Sequence, residues 1–446
     1  MKDLTQGPIG GHLAQMSLFL GAGMLIQTLY YIVDLYFVAG LGETPLAGVS
    51  AAGTVTFLVL ALTQALGVGT LALISHAVGR KDEQDAGLIF NQALVIAAIC
   101  GMLLLLAGYA FSAAYMEKIS ADAATARAGE TYLHWFLPGL ALQFVTVAMT
   151  SALRGTGIVK PTMLVQAITL VINIILAPIL IAGWGTGHPL GVLGAGLAST
   201  IAIVVGVFLL IVYFAKLEKY VRVDRSLWRP RFDTWKRMFN IGLPAGGELM
   251  LMFLVVGVIY WCIRDFGAAA QAGFGVGARV MQSIFLPAMA VAFAASPIAG
   301  QNFGARRADR VRETFRTAAL VSTVIMAALT VICHWDPELL VRAFSSDPRV
   351  VEVGSEYLRI VSWNFIGTGI IFTCSGLFQA LGNTWPALLS SGARILTFCL
   401  PAFWLSTQPW VRLEHFWYVS VASVVLQALM SLWLIRGELQ RRLTFA

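Results

Sequence analysis

Charged side chains are scarce in this sequence. Only 12% of its 446 residues are Asp, Glu, Lys or Arg, whereas 58% are hydrophobic, and the mean hydropathy is +0.79. A soluble globular domain carries about 25% charged residues, so this chain has too few charges to cover a water-exposed surface. The composition therefore excludes an ordinary soluble protein and indicates an integral membrane protein.

Catalytic and metal-binding motifs are also lacking. The sequence contains no HExxH and no GxSxG motif, and its apolar runs hold no cluster of His with acidic residues. Its five cysteines lie in or beside apolar runs without a CxxC pair, which favours free thiols that pack in the interior. We therefore expect no catalytic residue, no metal ligand set and no cofactor, and we do not expect an enzyme.

Long apolar runs dominate what is present. A helix needs roughly 20 apolar residues to cross the hydrocarbon core of a membrane. Twelve runs approach or exceed this length, with approximate cores at 13–38, 47–78, 88–111, 131–153, 161–182, 191–215, 238–263, 273–300, 317–334, 357–380, 386–405 and 413–435. The predicted fold is all-α and integral to the membrane, with twelve transmembrane helices.

Basic residues are unevenly divided between the two sides of these spans. If the N-terminus is cytoplasmic, the cytoplasmic segments hold 21 of the 30 Lys and Arg residues and the opposite side holds eight. Because short loops rich in Lys and Arg stay cytoplasmic, we predict that both termini are cytoplasmic. The basic residues lie in loops rather than on one face, so we expect no nucleic-acid partner.

Turn residues recur with one spacing in the two halves of the chain. Four pairs are each 225 residues apart: Gly42 and Gly267, Gly79 and Gly304, Gly157 and Gly382, and Pro161 and Pro386. Each half has six spans, an even number, so both halves enter the membrane from the same side as parallel repeats. We predict two parallel six-helix repeats around a central cavity, with an N-lobe at 1–215 and a C-lobe at 238–446.

The segment between the predicted lobes, residues 216–237, is the longest basic loop. It holds eight Lys and Arg residues together with Trp228, Phe232 and Trp235. Aromatic residues among basic ones are typical of a stretch that lies at a membrane surface. We therefore predict a cytoplasmic inter-lobe linker in contact with the lipid bilayer.

Ionisable residues inside the spans are rare, and each is a functional candidate because a charge at the bilayer centre costs at least about 2.5 kcal/mol. Asp34 in span one is the strongest candidate. The polar residues expected around it, on the same helical face or in neighbouring spans, are Gln27, Tyr30, Gln143, Asn173 and Thr200. The first half of the chain thus predicts a polar pocket around one carboxylate.

Three roles for the Asp34 carboxylate remain open on these residues alone. A carboxyl group buried without a counter-charge holds its proton more tightly, so Asp34 can take part in proton exchange. Hydroxyl and amide oxygens around it can instead complete a Na⁺ site, since hard cations take oxygen ligands. The third role is a purely structural one, in which the aspartate links helices by hydrogen bonds.

Two further ionisable residues lie in the second half. Glu248 follows a Gly- and Pro-rich stretch at 242–247. It can serve as a cation-attracting acid or as a carboxylate near the cytoplasmic end of its span. Arg394 in span eleven is expected to pair with a carboxylate or to extend its charge to the membrane interface.

The order and spacing of these motifs resemble the multidrug and toxin extrusion (MATE) family, bacterial type, over essentially the whole chain. The residues that carry the resemblance are Tyr30 to Asp34, the Gly79 and Gly304 loops, residues 153–157 and the stretch that begins at Asn173. The resemblance implies multidrug efflux by a cation-coupled antiporter of the bacterial inner membrane, expected to act as a monomer. It also implies that Asp34, Tyr30, Asn173 and Thr200 bind the coupling ion.

The hypothesis from the sequence is an antiporter that exports small amphipathic organic cations and drugs by alternating access. One branch of the family has a second aspartate where this chain has Ala177, and this difference favours H⁺ over Na⁺ as the coupling ion. The residues predicted at the substrate cavity are Gln27, Gln143 and Glu248.

Other functions stay open beside this hypothesis. A flippase for a lipid-linked precursor would need a cationic cavity, for which only Arg394 is available. An intramembrane enzyme would form product without an ion gradient. A receptor or scaffold would show no gradient-driven flux.

Overall fold

The structure, a computed structural model, describes residues 1–444 as a helical protein. Its helices are α1 (Ile9–Ala39), α2 (Glu43–Gly79), α3 (Glu83–Ile119), α4 (Ala123–Gly155), α5 (Lys160–Ala182), α6 (Val192–Lys216), α7 (Phe232–Cys262), α8 (Ala268–Gly304), α9 (Ala308–Trp335), α10 (Pro337–Arg342), α11 (Pro348–Val361), α12 (Asn364–Leu381), α13 (Trp385–Ser406) and α14 (Leu413–Arg442). All except α10 and α11 are long and apolar enough to cross a membrane. The prediction of twelve spans in an all-α fold is confirmed.

Several helix ends follow from local side-chain chemistry. At the start of α3, the carboxylate of Asp82 accepts a hydrogen bond from the backbone N–H of Asp85 at 3.0 Å. At the start of α4, Asp122 accepts from the N–H of Thr125 at 2.8 Å. Such caps satisfy N–H groups that have no partner inside the helix. Helix α5 ends at Gly183, whose φ of 72° is left-handed and favours glycine.

The tenth span begins later than the predicted range 357–380. Helix α11 ends before Ser362, and the membrane-length helix α12 starts after Trp363. The carbonyl of Ser362 accepts a hydrogen bond from the hydroxyl of Thr330 at 3.2 Å, and the N–H of Trp363 bonds three residues back instead of four. Side-chain hydrogen bonds of this kind compete with the helical ladder. At the 225-residue spacing, Trp363 corresponds to Pro138, which interrupts the ladder within α4.

The 225-residue spacing extends to the backbone. Helices α2 and α8 each have 37 residues, and both of their ends are displaced by this spacing. In the turns that follow them, Lys81 has a φ of 60° and Arg306 a φ of 59°. Residues other than glycine seldom adopt this conformation, so its recurrence shows that the two turns have the same backbone conformation at this position.

Close helix contacts also recur at this spacing. A β-carbon added to Gly48 of α2 would lie 2.8 Å from the backbone nitrogen of Gly129 in α4. A β-carbon on Gly273 of α8 would lie 3.1 Å from the backbone nitrogen of Gly354 in α11. Small residues allow membrane helices to approach this closely, so each pair fixes the same helix crossing in its half of the chain.

The chain packs into two compact units. The first unit comprises residues 1–3 and 22–243, and the second comprises residues 4–21 and the chain from Pro244 onward. Helix α1 is therefore divided, with its first half in the second unit. There the N–H of Leu4 donates to the side-chain oxygen of Gln301 at 2.9 Å. The lobe boundaries predicted from the sequence stay a prediction.

The basic segment 216–237 is held on α3 by two buried amides. The side-chain nitrogen of Asn91 donates to the carbonyl of Arg222 at 2.8 Å. Its oxygen accepts from the N–H of Asp224 at 2.8 Å and from the indole N–H of Trp228 at 3.1 Å. Asn91 thereby supplies hydrogen-bond partners to residues 217–231, which lie between α6 and α7 and whose regular structure is one short 3₁₀ turn at Arg225–Leu227.

Gln92 holds the following residues of the same segment. Its nitrogen donates to the carbonyls of Leu227 and Arg229 at 2.6 and 2.9 Å. Its oxygen accepts from the N–H of Arg231 at 2.9 Å and from the indole of Trp235 at 2.7 Å. Both amides are completely buried, so the segment has a defined conformation along α3.

Candidate functional site

The Asp34 carboxylate lies in the first unit, on the second half of α1, where α5 and α6 reach it. One carboxylate oxygen accepts a hydrogen bond from the hydroxyl of Ser199 in α6 at 3.0 Å. The other accepts a long hydrogen bond from the side-chain nitrogen of Asn173 in α5 at 3.5 Å. Ser199 and Asn173 are buried, and Asp34 is half-buried. Three helices thus converge on one carboxylate.

Tyr30 lies one helical turn before Asp34 and joins the same group. Its hydroxyl donates to the backbone carbonyl of Ser199 at 3.5 Å. Ser199 therefore contacts both α1 residues, through its side chain and through its backbone. Tyr30, Asp34, Asn173 and Ser199 form one cluster, which we call the Asp34 cluster.

Small and polar residues bring the three helices to this contact. Gly23 of α1 lies directly against the side chain of Gln166 in α5, where a β-carbon would collide. A β-carbon on Gly206 of α6 would lie 2.9 Å from a side-chain carbon of Thr169 in α5. The sequence thus leaves out side chains where α5 approaches its neighbours, and this close packing positions Asn173 and Ser199 beside Asp34.

The Asp34 cluster lacks a counter-charge. Among the ion pairs of residues 1–444, none involves Asp34. The residues that donate hydrogen bonds to its carboxylate, Ser199 and Asn173, are both neutral. A carboxylate can accept about four hydrogen bonds, so two donors leave acceptor capacity unused. The side-chain oxygen of Asn173 is also buried without a hydrogen-bond partner. The cluster therefore offers unsatisfied oxygen atoms that suit a proton or a small hard cation.

Thr200 faces a different helix. Its hydroxyl donates to the backbone carbonyl of Trp135 in α4 at 2.6 Å. A β-carbon on Gly139, one turn further along α4, would lie 3.0 Å from the same hydroxyl oxygen. Thr200 therefore contributes to the contact between α4 and α6 and forms no hydrogen bond with Asp34.

The two predicted glutamines also lie outside the Asp34 cluster. Gln27 on α1 is half-buried and lies one turn before Tyr31 on the same helix. Gln143 on α4 is half-buried, and its side chain makes no hydrogen bond within the described part of the chain. It lies one turn beyond Gly139, next to the contact of α4 with Thr200. Neither residue touches the carboxylate of Asp34.

Glu248 lies on α7 in the second unit. Its carboxylate accepts a hydrogen bond from the hydroxyl of Ser375 in α12 at 2.9 Å. The preceding Gly247 packs close to Leu388 of α13. Like Asp34, Glu248 has a neutral hydroxyl donor and takes part in no ion pair of residues 1–444.

Arg394 on α13 was expected to pair with a carboxylate or to reach the membrane interface. Within residues 1–444 it forms no ion pair, and its Nε atom is buried without a hydrogen-bond partner. Glu248 and Arg394 of the second unit therefore form no ion pair with each other.

Sequence reasoning missed Ser199 and selected its neighbour Thr200. The buried residues of α6 include a series of small side chains: Gly194, Ala195, Ala198, Ser199, Ala202 and Gly206. In a membrane helix such a series marks the face that packs against other helices. That pattern would have placed Ser199 on the packed face.

No group of three or more His, Cys, Asp or Glu residues within residues 1–444 is arranged to hold a metal ion. The five cysteines are free thiols, four of them buried. The polar groups described above are therefore the carboxylates of Asp34 and Glu248, the guanidinium of Arg394, and neutral hydroxyls and amides.

The chain is similar to known membrane transporters. The MatE family model matches residues 20–179 and 244–404. The Multidrug export protein MepA of Staphylococcus aureus is 25% identical over 392 residues, which are 86% of this chain and 85% of that protein. A protein of Shewanella oneidensis named FAD transporter is 24% identical over 408 residues, 90% of this chain and 89% of its own length.

The fold also matches a solved structure. The outward-facing conformation of a multidrug resistance MATE family transporter aligns over 100% of this chain and 98% of its own, with a TM-score of 0.92 and 22% identity. With the twelve apolar helices, these matches confirm the resemblance drawn from the sequence and a multi-pass membrane protein. The chain belongs to the MatE family, whose members are membrane transporters and not enzymes.

Proposed function

We propose that the chain exports small amphipathic organic cations in exchange for H⁺ bound at Asp34. The observation that carries this proposal is a membrane-helix carboxylate that receives hydrogen bonds from neutral donors and has no counter-charge. Such a group changes charge when it gains or loses a proton, and it does so beside three helices that share its hydrogen bonds. Small-molecule efflux is supported by the relatives, one of which is named a multidrug export protein.

The Asp34 cluster links the proton to the helices through Ser199 and Asn173. When Asp34 is ionised, both of its oxygens can accept hydrogen bonds, as they do from these two residues. When it is protonated, one oxygen becomes a donor and can turn to the unsatisfied oxygen of Asn173. Proton binding thus exchanges one set of contacts between α1, α5 and α6 for another, which is the local change that alternating access requires.

H⁺ is favoured over Na⁺ because the ligand set around Asp34 is small. A hard metal cation takes about six oxygen ligands, usually with more than one carboxylate or several carbonyls. One turn after Asn173, where a second acid would complete such a site, the chain has the fully buried Ala177. A single carboxylate with neutral neighbours suits a proton better.

The substrate side of the proposal rests on Glu248 and on Gln27 and Gln143. An acid that lacks a basic partner attracts organic cations, and Glu248 is such an acid in the second unit. Exchange of one proton for one monovalent cation moves no net charge, so the pH gradient drives export and supplies about 1.4 kcal/mol for each proton per pH unit. We further propose that the protein is a monomer in the bacterial plasma membrane. We also propose that both termini are cytoplasmic, which the uneven distribution of basic residues supports.

Proteoliposomes test the coupling ion directly. Efflux of a cationic dye is measured with a pH gradient alone and with a Na⁺ gradient alone, for the wild type and for Asp34→Asn. We expect the pH gradient to drive efflux by the wild type and to have no effect on the variant. Glu248→Gln is expected to raise the KM for the dye while the dependence on the pH gradient is kept. Dye export by folded Asp34→Asn under a pH gradient would refute the proposal.

Organic anions are a second candidate class of substrate. The observation that favours them is the buried, unpaired Nε of Arg394, together with the relative named FAD transporter. The same proteoliposomes loaded with FAD decide between the classes. Uptake or efflux of FAD that is lost in Arg394→Gln, without export of the cationic dye, would replace the cation proposal.

A further inference from the structure

A groove with a volume of about 350 Å³ runs between α9 and α14 in the second unit. Three arginines line it: Arg312 and Arg316, one turn apart on α9, and Arg436 on α14. All three side chains are exposed. They lie near the start of α9 and the end of α14, at one end of each membrane helix.

The positive charge of this groove is largely uncompensated. Arg312 lies 3.6 Å from Asp309, whose side chain is fully exposed. Within residues 1–444, neither Arg316 nor Arg436 takes part in an ion pair. Glu438, two residues after Arg436, is paired with Arg442 at 2.9 Å. The groove thus presents guanidinium groups that are available to an anion.

The floor of the groove is apolar. It is formed by Phe315 of α9 and by Leu432, Ile435 and Leu439 of α14, which follow one another at helical spacing. A soluble inorganic anion gains nothing from such a floor. A ligand that combines a negative charge with a hydrocarbon portion matches both parts of the lining.

An apolar path continues from the groove along α9. Leu320 and Val324 follow Arg316 at intervals of four residues, which places all three on one face of the helix. The side chains of Leu320 and Val324 are 65% and 59% exposed. On a membrane helix this order, from arginine to exposed aliphatic residues, matches the order from a lipid headgroup to its acyl chain.

We propose that this groove is a binding site for an anionic phospholipid, and we call it the α9–α14 lipid site. The phosphate contacts Arg312, Arg316 and Arg436, and one acyl chain lies along Leu320 and Val324. Arginine suits this role because its planar guanidinium can donate two parallel hydrogen bonds to a phosphate. Basic pockets between membrane helices are known to select anionic headgroups. The site goes beyond the proposed transport function and does not depend on the substrate.

Lipid binding to the full-length protein tests this site. Purified protein in detergent is titrated with phosphatidylglycerol or phosphatidylcholine, and bound lipid is counted by native mass spectrometry. We expect the wild type to retain phosphatidylglycerol in preference to phosphatidylcholine. In Arg312→Gln/Arg316→Gln/Arg436→Gln, we expect the affinity for phosphatidylglycerol to fall about tenfold or more. The corresponding triple Lys variant should lose less, because it keeps the charge and loses only the bidentate geometry.

A matched control separates a built site from diffuse attraction. Arg127→Gln/Arg349→Gln/Arg359→Gln removes the same number of exposed arginines from places outside this groove and outside the basic segment 216–237. We expect this control to keep the wild-type affinity, and the thermal unfolding of all variants verifies that they are folded.

Three results would overturn the proposal. The first is equal loss of affinity in the two Gln triples, which would show diffuse electrostatic attraction. The second is equal binding of the two lipids by the wild type. The third is displacement of phosphatidylglycerol by an equal concentration of inorganic phosphate, which would show that the groove binds a free anion.

Discussion

Replacement of Gln92 by Ala is expected to release the basic segment 216–237 from α3. The side chain makes four hydrogen bonds to this segment, two as donor and two as acceptor. Each is worth about 0.5–1.5 kcal/mol net, and water can replace part of them because the segment is mostly exposed. We therefore expect local opening to become easier by about 3 kcal/mol, which corresponds to about a hundredfold larger open population.

Limited tryptic digestion measures this opening. Trypsin can cleave after Arg222, Arg225 and Arg231 once the segment leaves α3. When opening and closing are fast relative to cleavage, the cleavage rate follows the population of the open state. We expect Gln92→Ala to be cut in this segment about a hundred times faster than the wild type. Asn91→Ala should behave similarly, because Asn91 also holds this segment through hydrogen bonds.

An exposed glutamine provides the control. Gln440→Ala, near the end of α14, removes a side chain of the same type that makes no hydrogen bond within the described residues. Its cleavage pattern between 216 and 237 should match the wild type. If Gln92→Ala is also cut at the wild-type rate, the buried amides do not hold the segment, and the reasoning is refuted.

Further variants test the packing and the Asp34 cluster. Ser199→Ala should weaken gradient-driven dye export severalfold, because it removes a hydrogen-bond donor to the Asp34 carboxylate. Thr200→Val should keep export coupled to the gradient and should lower the free energy of unfolding by about 1 kcal/mol. A larger loss of export in Thr200→Val than in Ser199→Ala would contradict the hydrogen bonds assigned to these two residues. Gly48→Ala should destabilise the protein in detergent by about 1–3 kcal/mol, because a β-carbon there meets backbone atoms. Gly53 has open space around it, so Gly53→Ala should leave the unfolding temperature unchanged or raise it. Hydrogen bonds from the side chain and backbone of Ser226 hold the pKa of Asp224 below its usual value. The ionised carboxylate therefore stabilises the 3₁₀ turn that it caps at pH values above the usual aspartate pKa, and this stabilisation is lost as the pH falls through the lowered pKa. Amide exchange in that turn should become faster over this pH range in the wild type and should not change in Asp224→Asn.

The twelve spans and the repeat could be predicted because they depend on patterns that many residues share. Apolar runs of membrane length leave few alternatives to a helix, since backbone groups in lipid must be satisfied internally. The 225-residue spacing was visible in turn residues such as Gly42 and Gly267, whose φ angles of 113° and 94° require glycine. The same spacing then relates helix contacts that the sequence alone did not reveal: the contact of Gly48 with Gly129 recurs as the contact of Gly273 with Gly354.

Single hydrogen bonds could not be predicted in the same way. At the break before α12, the carbonyl of Ser362 accepts a hydrogen bond from the hydroxyl of Thr330, which is 32 residues away in the sequence. The choice of Ser199 over Thr200 depends on which face of α6 meets α1, a rotation of about 100° between adjacent residues. Such details follow from the packing of several helices: the small residues of α6 indicate its packed face, but they do not show which side chain of that face meets α1.

Proton release on substrate binding tests the central claim about Asp34 most directly. A cationic dye is added to the purified protein in weakly buffered detergent solution, and the protons released are counted with a pH indicator. If the dye and the proton exchange at Asp34 as proposed, the wild type should release about one proton per dye bound. Asp34→Asn should bind dye and release none. Equal proton release by the wild type and Asp34→Asn would contradict the assignment of Asp34 as the coupling residue.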